Sequence, residues 1–211
     1  MDKKFHLVCQ AILDGDKAAT EGAIHAELEA GTGPAQLLNE AMIPAMAEVG
    51  RLFELGEYFV PEMLISARAM QCGLAVLRPL LREGEVKSSG RVVIGTVKGD
   101  MHDIGKNLVA IMLEGSGFEI HDLGTDVSPE KFVQATQEKK PDLIALSALL
   151  TTTMTSMKAT IDALQAAGLR NQVKVIVGGA PVTQAFAESI GADGFATDAS
   201  SATRIAHQLL A

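Results

Sequence analysis

Apolar positions change rhythm once along this chain. From Phe5 to Leu81 they recur at helical spacing, and from Val92 they gather in short, nearly continuous runs. A spacing of i, i+3, i+4 marks an amphipathic helix, and a short apolar run between turn signals marks a strand buried on both faces. Phe5, Leu7, Val8, Ile12 and Leu13 predict a first helix ending near Asp14-Gly15. A second fits Asp16 to Ala30, with Ile24 and Leu28 one turn apart and Gly31 after its end. A third runs from about Pro34, a natural first-turn residue, to Leu55, and Gly56 stops it. Pro44 inside it predicts a kink or a break. The fourth spans about Val60 to Leu81, with Met63, Leu64, Ala67, Met70, Leu74 and Leu77 as its stripe. Four helices joined by short loops predict a small bundle over residues 1–82.

Glu83 to Gly90 is polar and glycine-containing, as an interdomain linker would be. Beyond it, strand-like runs fall at Val92–Val97, Phe118–Leu123, Leu143–Leu149, Val173–Val177 and Gly194–Ala196. Helix-like stretches alternate with them at Gly105–Glu114, Pro129–Lys139, Met154–Ala167, Thr183–Ile190 and Ser200–Leu210. Five βα units with apolar strands predict an α/β domain over residues 91–211, a flavodoxin-like (Rossmann-like) five-stranded parallel sheet.

Composition narrows the function classes. The 211 residues are 47% hydrophobic and 21% charged, enough to bury a core. A net charge of -8 and an aromatic content of 4% without tryptophan argue against nucleic-acid binding. Cys9 and Cys72 lie far apart with no C-x-x-C pattern, so two reduced, buried thiols are expected and not a zinc-thiolate site. No stretch looks long and apolar enough to span a bilayer, and the start Met-Asp-Lys-Lys-Phe-His lacks a signal-peptide core. A cytoplasmic protein without a membrane partner is expected.

The chemistry gathers at predicted strand ends. Asp100-Met101-His102-Asp103-Ile104-Gly105 follows the first strand, so His102 sits where open α/β sheets bind ligands. A carboxylate two residues away is the arrangement that fixes the tautomer of a metal-ligating histidine. The third strand ends in Ser147-Ala148-Leu149-Leu150 and three threonines, and the fourth in Gly178-Gly179-Ala180. Paired glycines let a ligand approach the backbone, and small hydroxyls supply neutral hydrogen bonds. The three segments should border one crevice, a slot for a long, weakly charged group beside an imidazole. A G-x-G-x-x-G fingerprint after the first strand and a Walker A loop are both missing.

Asp100-x-His102-x-x-Gly105, Ser147-x-Leu149 and Gly178-Gly179 resemble the D-x-H-x-x-G…S-x-L…G-G signature of cobalamin-binding domains. The string Thr96 to Asn107 is similar to that of cobalamin-dependent methionine synthase and of the small corrinoid proteins of methyltransferase systems. Gly56-Glu57-Tyr58-Phe59-Val60-Pro61-Glu62-Met63 resembles that family's cap-helix motif, so the likeness covers nearly the whole chain. The resemblance implies a cobalamin or related corrinoid, cycling between methylcobalamin and cob(I)alamin, bound base-off with His102 as lower ligand of cobalt. Asp100 would hold the other nitrogen of His102. Thr153, a looser match, would stand where methionine synthase has a serine that completes a relay to solvent. Met101, Asp103, Ile104, Gly105 and Thr151 would line the cofactor. Ser147, Leu149, Gly178 and Gly179 would line the channel of its displaced tail. Phe53, Val60 and Met63 would cover the upper face of the corrin as a cap.

The implied function is a methyl carrier in methylamine, methanol or aryl methyl ether metabolism, not an enzyme acting alone. Its implied partners are a substrate-specific methyltransferase, a second methyltransferase to tetrahydrofolate or coenzyme M, and a reductive activase. Against this stand a small subunit of an adenosylcobalamin mutase, a cobalamin-based sensor or regulator, and a receiver-like interaction domain. Plainer roles are also open for several residues. The Met42, Met46, Met63 and Met70 set suits a bundle core, and Ser147 with the threonines suits a helix cap. Asp103 suits a helix cap, and Lys98 and Lys106 suit a solvated surface, with a corrin amide as an alternative partner for Lys106.

Overall fold

A computed structural model describes residues 5–81 and 89–211. Its contacts cluster into two compact units. Described residues up to 81, with the turn 115–117, form the first, and the rest form the second.

The first unit is helical throughout. Helix α1 (His6–Leu13) ends at Gly15, whose φ of +69° suits a residue without a Cβ. A Cβ there would also lie 2.5 Å from Ile65, so the turn can close on helix α5 (Val60–Leu77) only with glycine. Asp16 caps helix α2 (Lys17–Glu29), its carboxylate accepting the Ala19 N–H at 2.9 Å. In α5, Pro61 occupies the first turn and Glu62 reaches back to accept the Phe59 N–H at 3.0 Å.

The third predicted helix is one rod with a widened turn. It is α-helical over α3 (Pro34–Leu37), π-helical over Leu38–Met42 and α-helical again over α4 (Ile43–Glu54). The kink or break expected at Pro44 is resolved this way. Proline has no N–H to give Glu40, and its ring would press on that carbonyl. A turn closed by bonds to residue i−5, such as Ile43 N–H to the Leu38 carbonyl, relieves the clash without breaking the rod.

Val8, Ile12, Ile24, Leu37, Met42, Met46, Met63, Met70 and Leu77 are buried at the centre of this unit. Each is worth roughly 1.5–3 kcal/mol on burial. The methionine set is thus core, as helical spacing predicts. Cys9 is buried, but Cys72 is only half-buried, which corrects the expectation of two buried thiols. The transmembrane expectation also needs correction. Val60–Leu80 spans 21 residues at mean hydropathy 1.2, long and apolar enough by composition to cross a bilayer. Its apolar side chains Met63, Met70 and Leu77 are buried within the unit, as in a core helix.

The second unit is a five-stranded, wholly parallel sheet in the order β2-β1-β3-β4-β5. The strands are β1 (Gly90–Thr96), β2 (Phe118–Asp122), β3 (Leu143–Ser147), β4 (Lys174–Gly178) and β5 (Gly194–Ala196). The predicted linker falls mostly on residues 82–88, outside the described residues, and its last residue, Gly90, already belongs to β1. Helices α6 (Ile104–Gly115), α7 (Pro129–Lys139), α8 (Thr155–Ala166), α9 (Gln184–Ser189) and α10 (Ala199–Leu210) follow the strands in turn.

Alternation along β1 sorts the core into two layers. Val93 joins Phe132 of α7, Met157 and Ile161 of α8 and Ala187 of α9 on one face. Val92 and Ile94 join Leu113 of α6 with Ala202 and Ala206 of α10 on the other. The chain therefore leaves β1 toward one face and its neighbour β3 toward the opposite face. That divergence opens a crevice at their carboxyl ends, where ligands of doubly wound folds bind.

Candidate functional site

The loop after β1 has no regular structure and is held from outside. Ser156 donates to the Lys98 carbonyl at 3.0 Å. Asp126, in a left-handed conformation at φ +52°, accepts the Gly99 N–H at 2.7 Å and donates its own N–H to the Asp100 carbonyl at 2.9 Å. The Thr96 hydroxyl donates to the His102 carbonyl at 2.8 Å.

Asp100 is the hub. It is fully buried, and its two oxygens accept five donors. One oxygen takes the His102 N–H at 3.1 Å and His102 Nδ1 at 2.7 Å. The other takes the Leu149 N–H at 2.8 Å, the Leu150 N–H at 3.3 Å and the Thr153 hydroxyl at 2.7 Å. Burial alone would push this carboxyl up, but the Thr153 and His102 hydrogen bonds outweigh it and hold the group well below the usual carboxylate range. It is therefore an anion, able only to accept. His102 must then donate from Nδ1, which leaves the Nε2 lone pair as the acceptor of the neutral ring. Nε2 has no hydrogen-bond partner among the described residues, and the His102 side chain is 51% exposed.

The surroundings are apolar and uncovered. Met101 is 70% exposed, Ile104 77%, and Leu149 and Leu150 are each 43% exposed. Leu149 and Leu150 are brought beside His102 by their N–H bonds to Asp100. Nothing lies within 4 Å of where a Gly105 Cβ would be, so the first turn of α6 is open. Exposed apolar side chains gathered around one feature mark a place where something docks.

The expected crevice forms. The Val97 N–H donates to the Ser147 carbonyl at 3.0 Å, and the Ala148 N–H to the Gly178 carbonyl at 3.2 Å, so the ends of β1, β3 and β4 lie side by side. Ser147 is part-exposed, and its hydroxyl has no partner among the described residues; Thr151 is exposed. Thr153 does not cap α8, as its plainer role would require, but turns to Asp100. Gly179 (φ +130°) has a reason unrelated to ligands. A Cβ there would sit 1.9 Å from the Ala148 carbonyl oxygen, so the backbone just after β3 occupies that space. At Gly178 the obstacle would be the Ala196 oxygen, at 2.9 Å.

Lys106 corrects its sequence-based assignment as solvated. Its side chain is 2% exposed and pairs with Asp122, while Nζ also donates to Asn107 Oδ1 at 2.6 Å. Asp103 accepts from Asn107 Nδ2 at 3.1 Å. In the helical unit, Phe53 is half-buried, Val60 is 37% exposed and Met63 is buried, so Met63 would have to turn outward to touch a ligand.

Thr96, Asp126 and Ser156 were not singled out by sequence. A threonine in a strand reads as a β-former, and neither Asp126 nor Ser156 lies near His102 in the chain.

A lone imidazole does not hold a free metal ion, and no group of three or more His, Cys, Asp or Glu among the described residues could do so. The donor set fits a metal that brings its other ligands with it, inside a flat macrocycle laid on the apolar rim. Comparison with known proteins gives the class of cofactor. The B12 binding domain family matches residues 90–204, and a second B12 binding domain family matches residues 5–78. The chain is thus a B12-binding protein of two parts, whose cofactor is a corrinoid. Trimethylamine corrinoid protein 1 of Methanosarcina acetivorans is 46% identical over 199 residues, 92% of each chain. Dimethylamine corrinoid protein 1 of the same organism is 46% identical over 179 residues, 84% of each. The methanol:cobalamin methyltransferase complex MtaBC from Methanosarcina barkeri contains a chain with TM-score 0.88 and 32% identity, matched over 99% of this chain and 81% of that one. This protein belongs to the family of corrinoid proteins of methyltransferase systems.

Proposed function

We propose that this protein carries a methyl group taken from a methylamine, holding its corrinoid base-off with His102 as the lower ligand of cobalt. The observation that carries the ligand assignment is the clamp of Asp100 on His102 Nδ1, which leaves Nε2 as a half-exposed lone pair among apolar side chains. Methylamine as the donor is supported by the di- and trimethylamine corrinoid proteins among its relatives.

A bound corrinoid would supply a cobalt centre able to take and give a methyl group. The rest falls to side chains. Asp100 fixes the tautomer of His102, and Thr153, whose hydroxyl bonds the same carboxylate, keeps that anion in place. Met101, Ile104, Leu149 and Leu150 offer an apolar seat, and Asp103 and Gly105 flank it. Ser147, Thr151, Gly178 and Gly179 line the path of the displaced tail, with the free Ser147 hydroxyl able to bond it. In the helical unit over residues 1–82, which the second B12 binding domain family matches over 5–78, Phe53 and Val60 are the side chains able to meet a corrinoid as it stands, and Met63 would join them only by turning out of its core. The partners are a substrate-specific methyltransferase, a second methyltransferase to coenzyme M or tetrahydrofolate, and a reductive activase. In this assignment the protein is a subunit that does no chemistry alone.

Two measurements test it. Apoprotein reconstituted with hydroxocobalamin should keep the corrinoid through gel filtration, and His102→Ala should lose the axial-nitrogen signature from its spectrum. An unchanged spectrum in that variant would refute the ligand assignment. Reduced holoprotein should be methylated with a mono-, di- or trimethylamine methyltransferase and its amine, but not with a methanol methyltransferase and methanol. Equal methylation by the methanol system would overturn the donor.

A further inference from the structure

Lys106 is a buried ammonium that no step above uses. Its side chain is 2% exposed, although it lies in the first turn of α6 beside the open face at Gly105. Burying that charge is costly unless it is paired and hydrogen-bonded. It has both: Asp122, the last residue of β2, and Asn107 Oδ1 at 2.6 Å.

The pair does not stand alone. Asn107 passes the connection on, its Nδ2 donating to Asp103 at 3.1 Å, next to His102. From the other carboxylate oxygen, Asp122 accepts the Gly124 N–H at 2.9 Å. The Gly124 carbonyl accepts the Thr96 N–H at 2.9 Å, and the Thr96 hydroxyl grips the His102 carbonyl at 2.8 Å. Two hydrogen-bonded routes thus run from one carboxylate on the sheet edge, one to the His102 carbonyl through Thr96 and the other to the side chain of the next residue, Asp103. Asp100 holds the ring of His102, and Asp122 is tied to its main chain.

We propose that Lys106 is a positioning residue for axial ligation, acting through Asp122 to set where the His102 backbone stands over the strand ends. It rests on His102 being the lower ligand. An axial bond tolerates little misplacement, about 0.5 Å for a preorganised site, and residues 100–103 have no regular structure of their own to supply that precision. Asp122 is 39% exposed, so without Lys106 it would be solvated, and the loop would relax where the fold would not.

The test uses full-length protein labelled with 15N, loaded with hydroxocobalamin and reduced by one electron. In the wild type, electron paramagnetic resonance should show the doublet splitting of an axial 15N, which identifies a protein nitrogen on cobalt. If that doublet is missing, the ligand assignment itself fails. Lys106→Met should bind the corrinoid and keep its circular dichroism, yet its ratio of His-on to His-off cobalt should fall about tenfold, as on losing an outer-shell partner. The midpoint for the next reduction should move positive, because an axial donor opposes added charge on the metal. Lys106→Arg should restore both values in part. Asp122→Asn, at the half-exposed end of the pair, should reproduce the shift and serves if Lys106→Met does not fold. A wild-type ratio and midpoint in either folded variant would overturn the proposal.

Discussion

At the scale of single residues, this site turns on one carboxylate with no spare capacity. Asp100 accepts five donors, two of them from His102. An amide in its place would face its N–H2 toward donors on one side or the other, leaving buried groups unmatched and the imidazole free to change tautomer. Asp100→Asn should therefore weaken corrinoid binding by about 10–100-fold, the usual loss for a partner of a metal ligand. A spectrophotometric titration with hydroxocobalamin reads this directly, and an unchanged affinity would show that the clamp is dispensable. His102, Asp100 and Gly105 could be picked out in the sequence because their spacing is short and local. Lys106 could not, since a lysine one turn into an amphipathic helix looks the same whether it meets water or Asp122. Leu149 and Leu150 look like the end of β3, and only the folded chain reveals that their N–H groups have left the ladder for Asp100.

At the scale of elements, the order of strands and helices follows the apolar rhythm closely, and the exceptions have local causes. The rod over Pro34–Glu54 absorbs Pro44 through a π-turn, which no periodicity encodes. The glycine pair at the end of β4 looked like a ligand cradle. Gly179 is demanded in any case by the backbone that follows β3, because the Ala148 carbonyl occupies the place of its missing Cβ. Gly179→Ala should cost about 3 kcal/mol, combining overpacking with a φ that alanine resists. The urea midpoint of the apoprotein measures that cost without any cofactor. A variant as stable as the wild type would mean that the ends of β3 and β4 part easily, and the glycine would then be explained by the ligand after all.

At the scale of the whole molecule, each unit has its own core. The helical one is built around methionines, and the α/β one is split into two layers by its sheet. The resemblance was legible in the α/β unit because its three motifs fall at the ends of three different strands, and in the helical unit through Gly56 to Met63. The cap role implied by resemblance for Phe53, Val60 and Met63 could not be weighed from sequence, since their exposure differs for reasons of packing within their own unit. The rim formed by Met101, Ile104, Leu149 and Leu150 has a further consequence at this scale. Without the corrinoid it is a greasy surface offered to any neighbour, including chaperones and other copies of the same chain. Apoprotein should bind a hydrophobic dye such as ANS and self-associate with concentration, and hydroxocobalamin should abolish both. Dye binding that persists after loading would place the greasy surface elsewhere. In a cell starved of corrinoid, the same rim would steer newly made chains toward quality control, so vitamin supply would set how much of this protein survives, and not only how much of it is active.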